Sequence, residues 1–316
     1  MMSCQEDDII IKGDINMDIF VDTADLEEIK EAESWGILDG VTTNPSLIKK
    51  AVESNDGDIS LEDHIKEILN TVDGPVSLEV AGSTYDEMVR EATVLYEKFN
   101  PVNDNVVIKI PVNTAMADDD DDFEGIKAIK TLSERGIPVN CTLVMSPNQA
   151  LMAAKAGAAY VSPFLGRIDD YIRKNMGIKR GDDYPKGTYY PQDLAEKIRD
   201  LKLKKRITEK KEEQLIYNDQ ETMDLYDWGN DEGVLSGVDL VWSIKQILVN
   251  YDFDTQIIAA SIRTARQVRQ CAEIGAKIAT IPFNVIEEMM VHHKTTEGMK
   301  SFTEDVIPEY EEILKE

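Results

Sequence analysis

The chain is poor in the residues that staple or metallate small folds: among 316 residues there are three cysteines and three histidines. Cys4, Cys141 and Cys271 are odd in number and far apart, so they define neither a disulfide frame nor a CxxC metal or redox pair, and they fit a reducing cytoplasm. His64, His292 and His293 cannot supply a three-histidine zinc site, and the adjacent pair would point in different directions on a helix, so no metal is expected. Positive charge is scarce too. Lys and Arg number 34 against 61 Asp and Glu, for a formal charge of −27 and a pI near 4.5. Such a balance repels polyanions and argues against nucleic acid or an anionic membrane as partner. Also missing are a run of about 18 uncharged apolar residues able to span a membrane, a basic leader in the opening MMSCQEDDIIIKG, an internal repeat and a GxxxxGK[ST] phosphate loop. An anionic ligand therefore has to meet a local cluster of Arg or Lys at contact distance, where salt has screened the global field.

What the chain has is 42% apolar residues, enough for a sizeable core, and a regular alternation of short β-rich runs with segments of helical period. The runs at 17–22, 40–43, 75–80, 105–110, 139–144, 159–164, 256–261 and 277–282 read as eight strands. Between them, Asp25 is spaced to cap a helix with Glu28 completing a capping box, Leu26, Ile29 and Ala32 make its buried stripe, and Ser146-Pro147 opens a helix that Gly157 closes. Further stripes are Met88, Ala92, Leu95 and Phe99, and Ile126, Ile129 and Leu132. Eight strand–helix units imply an α/β fold, a closed (β/α)₈ TIM barrel. An open doubly wound sheet shares the alternation, but its first turn is normally glycine-rich, and here that turn reads VDTADLEE.

Three pieces stand outside the alternation. Residues 1–16 form an N-terminal extension to a barrel domain spanning 17–316. The acidic run within 117–125 reads as a solvated loop end, with divalent-ion binding the alternative. Residues 171–235, after strand six, read as an inserted subdomain, with one amphipathic helix on Leu194, Ile198 and Leu201 and core material from Tyr184, Tyr189, Tyr190, Tyr217, Tyr226 and Trp228. Its basic stretch LKLKKRITEKK is expected to pair with acidic surface rather than with nucleic acid.

The chemistry begins at Lys109. In VVIKIP, period two sets Val106, Ile108 and Ile110 on the helix-facing side and turns Lys109 into the lumen near the C-terminal end of its strand, where barrel enzymes assemble their sites. Polar residues recur at the other strand ends: Asp22, Asn44, Glu79, Asn140, Thr142 and Ser162. A desolvated lysine with some neutral amine adds to ketones, and its cationic imine is an electron sink; nearby carboxylates move the protons. Arg167 after strand six and Arg263 after strand seven, with Ser261, offer the local anion trap, on the side where barrels bind phosphate.

The strings DIFVDTAD, DGVTTNPSLI, VSLEV, VVIKIP, GIPVNCTLV, YVSPFLGRIDD and IIAASIRT, in this order, resemble the transaldolase family, in particular its short, mainly prokaryotic branch that includes fructose-6-phosphate aldolases. The resemblance covers 17–170 and 236–312. It implies transfer of a dihydroxyacetone unit between ketose and aldose phosphates (sedoheptulose 7-phosphate and glyceraldehyde 3-phosphate to erythrose 4-phosphate and fructose 6-phosphate), in the pentose phosphate pathway and without cofactor or metal. By the same resemblance Lys109 is the Schiff-base lysine and Asp22 the acid/base on the C4 hydroxyl. Glu79 and Thr142 hold a proton-shuttling water. Asn44, Asn140 and Ser162 contact the three-carbon unit, and Arg167, Ser261 and Arg263 grip phosphate. Glu79 and Phe164 stand where the aldolase subgroup has Gln and Tyr, so both resemble the transferases. The alternatives are a fructose-6-phosphate aldolase and a catalytically silent barrel used for binding. A homo-oligomer, as a ring with an exchanged C-terminal helix, is also implied.

Overall fold

A computed structural model of the protein describes residues 16–54, 60–210, 218–227 and 233–315. Among them, eight strands close into one parallel barrel in chain order: β1 (Asp18–Asp22), β2 (Gly40–Thr42), β3 (Val76–Glu79), β4 (Val106–Pro111), β5 (Val139–Val144), β6 (Tyr160–Pro163), β7 (Gln256–Ala259) and β8 (Ile278–Ile281), with β8 pairing back onto β1. Helices lie between successive strands, as the alternation predicts. Each expected strand is present, its ends shifted by no more than two residues.

The two faces of each strand do different work. Outward residues such as Val21, Val41, Leu78, Ile108, Ile110, Cys141, Val161 and Ile281 merge with the inner faces of the helices into one large apolar layer. Inward, Phe20, Ile258 and Ile278, with Tyr160 against them, make a separate plug across the lower lumen. Gly40 pairs with Phe20 across β1 and β2, and a Cβ there would lie 2.6 Å from the Phe20 ring, so the missing side chain is what lets the ring fill the barrel. One turn of pleat higher, the inward residues become polar.

Local signals behave largely as read. Ser146 forms a capping box with Gln149, Pro147 starts the helix Pro147–Lys155, and Gly157 follows it at φ +93°. Asp25 does cap the helix Leu26–Ser34, accepting from the backbone N–H groups of Glu27 and Glu28. The capping box is not completed, because the Glu28 carboxylate instead accepts from the Thr23 hydroxyl at 2.5 Å, and that hydroxyl accepts from the Asp25 N–H. The two histidines also differ from expectation: His292 caps the helix His293–Glu304 from an extended backbone, and the two rings stack 4.8 Å apart. His64 is buried and bonded to the Ala24 carbonyl, and Cys141 and Cys271 are buried thiols whose pKa burial drives far above the usual range.

After β6 the helix Leu165–Asn175 runs through residue 171. The helix Gln192–Lys210 then buries Ala195, with Ile198 packed against the core, while Leu194 and Leu201 are exposed; the expected Leu194–Ile198–Leu201 stripe is a correction. The less exposed positions of this helix mix apolar Ala195, Ile198 and Leu203 with polar Arg199 and Arg206. Arg206 reaches Asp219 and Glu221, both at 2.7 Å, so acids of this chain do take up a basic residue of the stretch 201–211. Tyr184 and Tyr190 are buried and Tyr226 is exposed; Tyr217 and Trp228 lie outside the described residues, as do residues 1–15. In the acidic run, exposed side chains cap their own turn, with Asp120 accepting from the N–H groups of Met116 and Ala117.

Candidate active site

Lys109 comes to the lumen for the reason its strand predicts: Ile108 and Ile110 claim the helix side, leaving Lys109 inward and only 6% exposed. Register then assembles its neighbours. Lys109 pairs with Glu79 on β3 and with Asn140 on β5. Its ammonium stands 3.3 Å from the Glu79 carboxylate and donates to the Thr43 carbonyl at 3.2 Å. A cavity of about 330 Å³ opens beside it, lined by Asp22, Asn44, Ser162, Phe164, Arg167, Ser261 and Arg263 among others. The lysine is thus ion-paired yet reachable from a cavity.

The remaining polar side chains fall into separate groups. The Ser162 hydroxyl donates to the Asn140 amide oxygen at 2.7 Å, and the Asn140 amide donates to the Ser77 hydroxyl at 3.2 Å. Thr142 is fully buried and its hydroxyl has no partner among the described residues. Just beyond it Leu143 takes φ +58°, and the β5–β6 register slips between Cys141 and Val144, a bulge of the kind that re-aims side chains at sites. Asn44 accepts from the Leu47 N–H at 3.0 Å, capping the helix Pro45–Ser54 with its oxygen. On the opposite side Asp22 accepts from the Thr42 hydroxyl at 2.9 Å, itself 2.5 Å from that of Thr280. Burial raises the Asp22 pKa above the ordinary carboxylate value, against the opposing pull of Lys109.

Arg167, Ser261 and Arg263, expected to trap an anion, lie where two loops interlock. Ser261 sits at φ +58°, and its carbonyl accepts from the Gly166 N–H at 3.1 Å and from the Arg263 guanidinium at 3.3 Å. A Cβ on Gly166 would fall 2.3 Å from the Arg263 Nε, so glycine is required for the arginine to pass. Arg263 also donates to Asp170 at 3.1 Å, while its buried Nη1 has no partner among the described residues; Arg167 lies over the Phe164 ring at 5.2 Å.

The sequence model of a known family, described as Transaldolase/Fructose-6-phosphate aldolase, matches residues 19–315. The chain belongs to this family. It is 40% identical over 291 residues to a "Probable transaldolase" of Thermoplasma acidophilum, covering 92% of this chain and 95% of that one. Proteins of the same description from Aquifex aeolicus (38% over 289 residues; 92% and 96%) and Petrotoga mobilis (38% over 299 residues; 95% and 98%) are similarly close.

Of the eleven residues picked out for the site, Asp22, Asn44, Lys109, Ser162, Phe164, Arg167, Ser261 and Arg263 line the one cavity, Glu79 and Asn140 touch the lining residues Lys109 and Ser162, and Thr142 is buried on β5 outside the lining. Thr42 and Thr280 were missed, although the strand-end rule that found Ser162 applies equally to them. Arg180 and Lys186 also line the cavity. They belong to a loop without periodicity, so no pattern marked them. Among the described residues no group of three or more His, Cys, Asp or Glu is placed to hold a metal ion, and no helix is long and apolar enough to cross a membrane.

Proposed function

We propose that the protein is a transaldolase that moves a dihydroxyacetone unit from a ketose phosphate to an aldose phosphate through an imine on Lys109. The observation that carries this reading is a lysine held inside a barrel lumen, beside one carboxylate, across a cavity from another, with two arginines at the rim. Glu79, at 3.3 Å, is placed to take the ammonium proton and free the amine. The amine adds to the substrate ketone, and loss of water leaves the iminium; the unpartnered Thr142 hydroxyl supports its role in holding the water involved. Asp22 then accepts the C4-hydroxyl proton, the C3–C4 bond breaks, and its electron pair flows into the iminium to give an enamine as the aldose phosphate departs. Attack of the enamine on a second aldehyde, reprotonation of the new alkoxide by Asp22 and hydrolysis of the imine complete the transfer. The Asp22 pKa, raised by burial, suits a group that must both take and return a proton.

Asn44, Asn140 and Ser162 are read as contacts to the three-carbon unit, and Arg167, Ser261 and Arg263 as the phosphate grip. Phe164 lacks an acidic hydroxyl and Glu79 is a carboxylate, which favours transfer over release of free dihydroxyacetone. The cytoplasm and the pentose phosphate pathway fit this chemistry. A homo-oligomer is supported by the helices His293–Glu304 and Pro308–Ile313, which bury no residue and leave Phe302, Tyr310 and Leu314 exposed. The whole is read as one barrel domain over 17–316, interrupted by 171–235. Incubation with fructose 6-phosphate and borohydride, followed by peptide mapping, tests the proposal. A stable adduct is expected on Lys109, and an adduct elsewhere, or none, overturns it.

A further inference from the structure

Arg180 and Lys186 line the same cavity as Asp22, Lys109, Arg167 and Arg263, yet neither comes from a strand end. Both belong to the stretch 178–190, and that stretch is firmly seated. The buried Arg173 donates to the carbonyls of Thr188 (2.9 Å) and Tyr189 (2.7 Å) and packs its guanidinium on the rings of Tyr184 (4.2 Å) and Tyr190 (5.3 Å). The Tyr184 hydroxyl donates to Asp170 at 3.0 Å, and Arg266 lies over Tyr189 at 3.9 Å. A loop held this way presents its cations without an ordering cost when a ligand arrives.

The charges around it are unbalanced. One Asp170 oxygen receives both Arg180 (2.8 Å) and Arg263 (3.1 Å), and among the described residues Lys186 and Arg167 make no ion pair. Four cations therefore face two carboxylates, Asp170 at the rim and Asp22 in the cavity, where the Lys186 charge acts on Asp22, in a chain of net charge −27. Burial pulls the Arg263 pKa below its ordinary value, with the Arg180 and Arg167 charges acting in the same direction against the pull of Asp170 and Asp169.

We infer that the 178–190 loop is a specificity element, in which Arg180 and Lys186 join Arg167 and Arg263 around the terminal phosphate of the sugar and make the site prefer phosphorylated over unphosphorylated substrates. The inference rests on the function proposed above and adds residues and a discriminating role to it. The test compares the full-length protein with Arg180→Met, Lys186→Met, their double variant and the charge-retaining Lys186→Arg, using Lys197→Met on the helix Gln192–Lys210 as a charge-loss control. The readout is the ratio of kcat/KM for fructose 6-phosphate to that for fructose, together with the rise in melting temperature that inorganic phosphate produces. The double variant is expected to lose roughly tenfold or more of the ratio, mainly through KM, and most of the phosphate-induced rise, while Lys186→Arg retains more of both than Lys186→Met. A ratio within twofold of wild type, or a loss equal to that of Lys197→Met, overturns the inference. Phosphate stabilisation needs no imine, so the two readings fail separately: absence of borohydride trapping in the wild type sinks the Lys109 mechanism, and an unchanged phosphate response in the double variant sinks the loop.

Discussion

The lower and upper halves of the barrel lumen are built by the same strands two residues apart, and they do opposite things. Phe20, Tyr160, Ile258 and Ile278 fill the lower half, and the residues two places on, Asp22, Ser162 and Thr280, face the cavity above. The lower plug is an apolar floor beneath the polar layer. Above that floor Lys109 and Glu79 remain largely buried, with Lys109 lining the cavity. A packed lumen is thus the support on which a desolvated amine depends.

Breaking the upper half should show first in chemistry. Lys109→Met is expected to lower turnover by at least roughly 10⁴-fold and to abolish borohydride trapping, with the fold retained by circular dichroism. Asp22→Asn should lower turnover by roughly 10²- to 10⁴-fold while trapping with dihydroxyacetone persists, because imine formation does not need the C4 proton acceptor. The same change should raise the melting temperature at pH 7. Burial raises the folded-state pKa of Asp22 above its unfolded value, so its stabilising contribution is complete below about pH 4 and lost as pH rises through the folded value. The advantage of Asn should therefore vanish on acidification, and a wild type that stays more stable than Asp22→Asn at pH 7 would contradict this account of the site.

Breaking the lower half should show in stability. Phe20→Ala is expected to cost about 3–5 kcal/mol in denaturant unfolding, with a loss of activity that follows the floor rather than any proton transfer. Near-normal stability in this variant would erase the distinction between the halves. The smallest effect is sought outside the lumen, at Asp169, which accepts from the Gly237 N–H (2.8 Å) and from Gln267 (2.7 Å), the side chain that also receives the Arg263 N–H. Burial pushes its pKa up to about 6, so the stability it adds is present below about pH 4 and lost as pH rises through about 6. Asp169→Asn should flatten that part of the stability–pH curve by up to about 3 kcal/mol and loosen phosphate binding only slightly.

Much of this was readable in one dimension. Period two places Lys109 inward because Ile108 and Ile110 cannot face a polar lumen, and the same rule reaches Asp22, Glu79, Asn140 and Ser162. It equally marks Thr42 and Thr280, which escaped notice for want of a distinctive neighbour. Glu28 was read as a helix-capping partner, but spacing alone could not show that the Thr23 hydroxyl lay closer. Of the Leu194–Ile198–Leu201 stripe only Ile198 packs inward, because the helix Gln192–Lys210 turns Ala195 and Ile198 to the core on a mixed face where Arg206 pairs with Asp219.

The sequence by itself determined the eight-fold alternation, the barrel and the identity of the central lysine, since these follow from local periodicity and from which side chains tolerate burial. Tertiary structure alone decided that Arg180 and Lys186 stand over the cavity, that Gly166 makes way for Arg263, and that Asp170 is shared between arginines 83 positions apart in the chain. The physical reason is that loop placement and charge sharing are set by contacts between residues far apart in sequence, which no local pattern encodes.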